Sequence, residues 1–180
     1  MDKITLKDKE FQKSIPFEKI YEAITQVADK INRDYQDKDT PLFLSILNGA
    51  FMFTADLFKE LKIDSEVTFV KLASYQGTST TGKVKQLIGL NESLKDRNVI
   101  ILEDIVDTGT TIKELIQQVK GFNPRDVKIA TMLFKPEACK EPINLDYVGM
   151  EIPNDFIVGY GLDYDGLGRN YKDIYKVVDK

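Results

Sequence analysis

Residues 99–111 read VIILEDIVDTGTT, an apolar run that meets the adjacent acids Glu103 and Asp104, then Asp107, then Thr108, Gly109, Thr110 and Thr111. Carboxylates at such a junction can bind ribose hydroxyls or a hard cation, take up a proton, or stabilise developing positive charge. Hydroxyls and backbone N–H groups in a glycine-containing turn before a helix suit a phosphate, and Gly109 would let that ligand approach the backbone. A plainer reading has Asp107 or Thr108 capping the helix, worth about 1 kcal/mol. Capping leaves Glu103 and Asp104 unexplained, because adjacent acids at the end of a buried strand repel unless a cation or hydroxyl groups compensate them. The stretch therefore predicts a sugar-phosphate or nucleotide site with a hydrated magnesium ion.

The elements around it have to place this junction. A strand ending near Leu102 and a helix starting near Thr110, closed at Gly121 and followed by Pro124, frame it directly. Upstream, Ile20, Ile24, Val27 and Ile31 recur at helical spacing between Pro16 and Tyr35, with Ser14 and Glu18 near the start. PLFLSIL (41–47) reads as a buried strand ended by Asn48-Gly49, AFMFTADLFKEL as a helix, and EVTFVKLA (66–73) as the next strand. VKIATMLF (127–134) is a further strand, YVGMEI and FIVGYGLD are short extended segments, and the tail is irregular. Alternating strands and helices predict an α/β fold with a mostly parallel twisted sheet flanked by helices, whose ligands bind at the carboxyl ends of the strands.

Gly77 to Val84 reads GTSTTGKV, one residue away from a phosphate-binding loop of triphosphatases. Val84 offers no hydroxyl to a magnesium ion, and the strand-like VKQLIGL that follows provides no helix N-terminus. SYQGTSTTGK (74–83) is instead expected to be a long polar loop, able to act as a lid.

The 180 residues suffice for one domain with a substantial core, and 42% hydrophobic with 30% charged residues is ordinary for a soluble globular protein. Without histidine and with Cys139 alone, soft zinc sites and an internal disulfide are excluded, so a cytoplasmic location is expected and any metal must be hard and oxygen-bound. A formal charge of -4 supplies no basic footprint for nucleic acid. No apolar run approaches the roughly 18 residues of a membrane helix.

A hydrophobic strand, two acids, two apolar residues and D-T-G-x-T resemble the 5-phosphoribosyl 1-pyrophosphate (PRPP) motif of type I phosphoribosyltransferases. LNGAFMFTADL (47–57), SYQGTSTTGKVK (74–85), MLFKP (132–136) and YVGMEIPNDFIVGYGLDYDGLGRN (147–170), in that order, resemble the hypoxanthine-guanine phosphoribosyltransferases. The resemblance implies that fold over residues 1–180, with a core of about 36–140 and a small hood built from the N-terminal segment and about 141–180. It also implies magnesium-dependent purine salvage: a purine base and PRPP give a nucleoside monophosphate and pyrophosphate through an oxocarbenium-like transition state.

Matched position by position, Glu103 and Asp104 would meet the ribose hydroxyls directly or through magnesium, and Asp107 would serve as general base near purine N7. Thr108, Gly109, Thr110 and Thr111 would hold the 5'-phosphate. Lys135 would donate to the 6-oxo group, Phe156 would stack on the base, and the Ile157 backbone would contact its edge. Asp163 would ligate a second magnesium, while Asn48, Gly49 and Arg169 would bind pyrophosphate. Asn48 stands where a lysine is frequent, and a non-proline cis peptide is often found in that loop. Ser74 and Tyr75 would begin the lid. Outside the resemblance, Lys135 and Arg169 read as solvated residues and Phe156 as core. Two alternatives stand beside this reading: a xanthine-preferring relative, and a regulatory RNA-binding homologue, which would call for a basic face. A homodimer or homotetramer is the expected assembly.

Overall fold

The computed structural model describes residues 2–75, 84–139 and 142–178, with backbone alone at 73–75 and 84–87. The polar stretch 76–83 therefore lies outside the described residues. In chain order the elements are β1 (Lys3–Leu6), β2 (Lys9–Ile15), α1 (Phe17–Tyr35), β3 (Leu42–Leu47), α2 (Phe51–Glu60), β4 (Glu66–Tyr75) and β5 (Val84–Ile88). They continue with β6 (Asn98–Val106), α3 (Thr110–Lys120), β7 (Asp126–Phe134), β8 (Tyr147–Glu151), β9 (Ile157–Val158) and β10 (Ile174–Val177).

Six strands form the main sheet in the order β5-β4-β3-β6-β7-β8. Neighbours from β4 to β8 run parallel, and only the edge strand β5 is antiparallel. The central strands are continuously apolar because both faces are covered. On one face α1 and α2 pack Ile20, Ile24, Ile31, Phe53 and Leu57 against Phe43, Ile100 and Leu102. On the other, α3 sets Ile112, Leu115 and Val119 against Leu44, Val99 and Ile101. The expected α/β architecture is thus present, and the crossover helices carry the chain back so that residues after β3, β6 and β7 emerge along one edge.

Four departures from the sequence reading have local causes. β6 does not stop near Leu102: it pairs with β7 through Glu103↔Thr131, Ile105↔Leu133 and Val106↔Phe134, so both acids lie inside the strand. Ser14 does not cap α1. The cap position is Pro16, and the first N–H of the helix, Phe17, instead donates to Asp173 Oδ1 at 2.8 Å. FIVGYGLD is extended only over β9, because Gly159, Tyr160 and Gly161 turn into positive φ (96°, 48° and 93°).

The fourth departure is the tail, which is not wholly irregular. β10 pairs antiparallel with β2 and with β9, and β1 completes a second sheet in the order β1-β2-β10-β9. Its core is Ile4, Leu6, Phe11, Val158 and Tyr175.

Candidate active site

The turn after β6 makes a small cavity of about 130 Å³, lined by Glu103, Ile105, Val106, Asp107, Thr108, Gly109, Thr111 and Ile112. No side chain caps α3: its cap residue is Gly109, so the helix-capping explanation of Asp107 and Thr108 falls away. Asp107, Thr108 and Thr110 are exposed at the mouth, with the two threonine hydroxyls 3.4 Å apart. The first turn of α3 carries the positive end of the helix dipole, which suits an anion. Gly109 serves this differently from the sequence expectation. At φ +83° a Cβ would stand 2.0 Å from Ile143 Cδ1 and 3.2 Å from Cys139 Sγ, so the missing side chain makes room for the segment behind the turn.

Glu103 and Asp104 look in different directions, as neighbours on a pleated strand must. Glu103 is buried and lines the cavity on the α3 side. Asp104 lies against Gly49 so closely that a Cβ there would come within 1.5 Å of Oδ2. Its Oδ1 accepts the Ile105 N–H at 2.8 Å. Burial pushes the Asp104 carboxyl up to about 6, opposed by backbone N–H donors and by Arg169, and reinforced by Asp163. Adjacency in sequence is therefore not proximity of charge, and the repulsion expected between Glu103 and Asp104 is relieved by the pleat. The carboxylate whose charge bears on Asp104 is Asp163.

Asp163 and Arg169 come from the loop after β9, remote in sequence from Asp104. Arg169 pairs with Asp163 Oδ1 at 2.6 Å and donates to the Gly161 carbonyl at 2.6 Å, while Asp163 Oδ2 accepts the Gly166 N–H at 2.7 Å. Both side chains are mostly buried, unlike the solvated arginine read from the tail. Gly161 rests on the Gly49 carbonyl, with only 2.2 Å available for a Cβ. The Leu47–Asn48 peptide is cis, and Asn48 is exposed beside this junction. Among the described residues no group of three or more His, Cys, Asp or Glu side chains could hold a metal ion, so Glu103, Asp104 and Asp163 are not gathered into one ligand set. Two carboxylates completed by substrate and water oxygens is nonetheless a fitting environment for magnesium.

Lys135, directly after β7, is buried rather than solvated, at 6% exposure, and its Nζ lies 3.5 Å from Asp107 Oδ2. Its backbone N–H donates to the Val106 carbonyl at 3.0 Å, which ties the start of the turn after β6 to the lysine. Phe156 is 46% exposed instead of core, with its ring set against Phe11 and Tyr164 at centroid distances of 6.1 and 5.8 Å. Ile157 is buried, and its backbone pairs opposite Lys176. Ser74 and Tyr75 pair opposite Lys85 and Val84, and Val84 begins a strand, not the helix a triphosphatase loop would need.

Over residues 16–165 the sequence matches the phosphoribosyl transferase domain family. The hypoxanthine phosphoribosyltransferase of Buchnera aphidicola is 38% identical over 159 residues, covering 87% of this chain and 90% of that one. The chain belongs to the hypoxanthine-guanine phosphoribosyltransferase family. A Streptococcus pyogenes member is 40% identical over 150 residues, 83% of this chain and 81% of the relative. Among solved structures, a Bacillus anthracis hypoxanthine-guanine phosphoribosyltransferase superposes with a TM-score of 0.84 at 33% identity, over 93% of this chain and 98% of the other. A Trypanosoma cruzi hypoxanthine phosphoribosyltransferase mutant in a ternary substrates complex gives 0.86 at 32%, over 96% and 97%. Family membership accounts for the junction of β3, β6 and β7 ends. The packing of Ile143 and Cys139 on Gly109, and of Gly161 on Gly49, was not read from the sequence; the glycines flanking Tyr160 were its only signal.

Proposed function

We propose that this protein is a purine salvage transferase that joins hypoxanthine or guanine to PRPP, giving IMP or GMP and pyrophosphate. The observation that carries this reading is Lys135 beside Asp107 at the mouth of the phosphate-sized cavity. A 6-oxopurine offers O6 and N7 side by side on one edge. Lys135 Nζ donates to O6, and Asp107 accepts the proton that N7 gives up. Meanwhile N9 bonds to ribose C1', and the bond from C1' to the pyrophosphate oxygen breaks, its electron pair leaving with pyrophosphate. An ammonium has nothing to accept from the 6-amino group of adenine, so adenine is rejected.

Thr108 to Thr111 and the α3 N-terminus hold the 5'-phosphate, and Asp104 and Asp107 stabilise the positive charge that develops on the ribose. Glu103 supports the ribose side from within the cavity. Arg169, the Gly49 backbone and the uncharged Asn48 receive pyrophosphate, while Phe156 and the Ile157 backbone border the base. Asp104 and Asp163 would hold magnesium together with substrate oxygens, and the ion would neutralise the leaving group. Ser74 and Tyr75 would begin the lid loop, whose residues 76–83 lie outside those described. Val67, Phe69 and Ile88, exposed at 39%, 44% and 47% on the β4–β5 edge, support assembly as a homodimer or homotetramer. No helix of the described residues is long and apolar enough to cross a membrane, and a cytoplasmic location is proposed.

The test is a spectrophotometric assay with PRPP and magnesium, offering hypoxanthine, guanine, xanthine and adenine in turn. Turnover of hypoxanthine or guanine is expected. No turnover of any base would refute the enzyme, and efficient use of adenine would refute the role of Lys135.

A further inference from the structure

The two segments assigned to pyrophosphate come from distant parts of the chain, and the hydroxyl of a buried tyrosine ties one to the helix that follows the other. Tyr160 is 4% exposed, and its hydroxyl donates to Asp56 Oδ2 at 2.7 Å, with the Met52 carbonyl at 3.4 Å. Asp56 lies on α2, which starts at Phe51, directly after the cis Leu47–Asn48 peptide and Gly49. At the other end Tyr160 is the middle of a left-handed run, and the next residue, Gly161, sits on the Gly49 carbonyl and accepts from Arg169. A second polar link holds the corner itself: Thr54 Oγ1 donates to the Ala50 carbonyl at 2.8 Å, and the Ser45 hydroxyl is 2.7 Å from Thr54.

We infer that Asp56 and Tyr160 are positioning residues that fix the loop carrying Asp163 and Arg169 against the loop at Leu47–Gly49, so that both grip the pyrophosphate group of PRPP together. The inference rests on the function proposed above. Neither residue is among those assigned to the base, Lys135, Phe156 and Ile157, or among those lining the cavity after β6. A Tyr160 that has lost its hydroxyl keeps its ring against Phe17, 6.1 Å away, and so keeps the packing while releasing the loop. Burial, then the bond to Asp56, push the phenol far above its ordinary range, which keeps Tyr160 a donor throughout the pH range of an assay. Asp56 also pairs with Lys59 at 2.7 Å, but that side chain is 65% exposed and contributes little.

The experiment is steady-state kinetics on the full chain, varying PRPP and hypoxanthine separately, for Tyr160→Phe, Asp56→Ala, the double variant, Asp56→Asn and Lys59→Ala. Tyr160→Phe and Asp56→Ala are each expected to raise KM for PRPP about tenfold, the effect of one hydrogen bond to a charged group, with KM for hypoxanthine unchanged. The double variant should be no worse than either single one, and Asp56→Asn, which still accepts from Tyr160, should restore most of the loss. Lys59→Ala should match the parent. Equal changes in both KM values, additive effects, or an unaltered KM for PRPP would overturn the inference while leaving the function standing. An inactive parent chain would overturn the function and the inference with it.

Discussion

Lys135 is the residue whose setting differs most from what its type suggests. An ammonium at 6% exposure beside a carboxylate is an arrangement a chain keeps for a ligand or for structure, and its exposed partner Asp107 points to a ligand. Asp107→Asn is expected to lower turnover by about 10²- to 10⁴-fold, the usual contribution of a positioned proton acceptor, with an unaltered melting temperature; normal turnover would remove it as the base. For Lys135→Ala the expected result is a fall of about 100-fold in the preference for hypoxanthine over adenine, measured as a ratio of kcat/KM values. Asp104 gives a pH test. Its folded value of about 6 lies above the ordinary 3.8, so the stability it contributes is full below 3.8 and is lost as pH rises through about 6. Asp104→Asn should therefore raise the melting temperature more at about pH 8 than at about pH 5, and equal shifts would contradict the assignment. At this scale the three carboxylates were legible as a site because acids cannot end an apolar strand for nothing. What adjacency could not tell is that the pleat sends Glu103 and Asp104 apart, or that a lysine before a proline is buried, since both depend on neighbours that local sequence does not name.

At the scale of elements, α1, α2 and α3 and the strands of the main sheet follow from periodicity, because each buries a continuous stripe or both faces. Where the reading failed, the decisive partner was remote. The α1 N-terminus lacks a local cap and takes Asp173 instead, a residue that also pairs with Lys13 at 2.9 Å. Burial raises the Asp173 carboxyl, but the bonds from Lys13 and Phe17 outweigh it and leave it below the ordinary range. With the folded value depressed, its contribution is present above about 3.8 and is lost as pH falls through the folded value. Replacing Asp173 with alanine should reduce stability at neutral pH by about 2 kcal/mol in urea unfolding, and by progressively less in acid. An effect independent of pH would show that the ion pair is not its source. The end of β6 failed for the same reason: ladder pairing with β7 extends a strand past the point where its hydrophobicity stops.

For the molecule as a whole, the two sheets have unlike origins. The main sheet is assembled from one continuous run of the chain, β3 to β8, whereas the second joins β2 to β10 across more than 150 residues. Short charged strands such as Lys3–Leu6 give almost no local signal, and their pairing is decided by that distant partner. Deleting residues 174–178 should leave the helical circular dichroism signal in place while abolishing turnover and exposing dye-binding apolar surface, since β2 and β9 would lose their common neighbour. A truncated chain with full activity would show that the second sheet is dispensable. The order of synthesis gives this topology a further meaning. A ribosome delivers the turn after β6 and the Lys135–Asp107 pair before residue 174, but the loop bearing Asp163 and Arg169 is flanked by β9 and held by strands that close only on β10. Ile174 of β10 also belongs to the core under α1 and α2, so the last strand completes both cores as well as the second sheet, and folding and function are finished by the same residues.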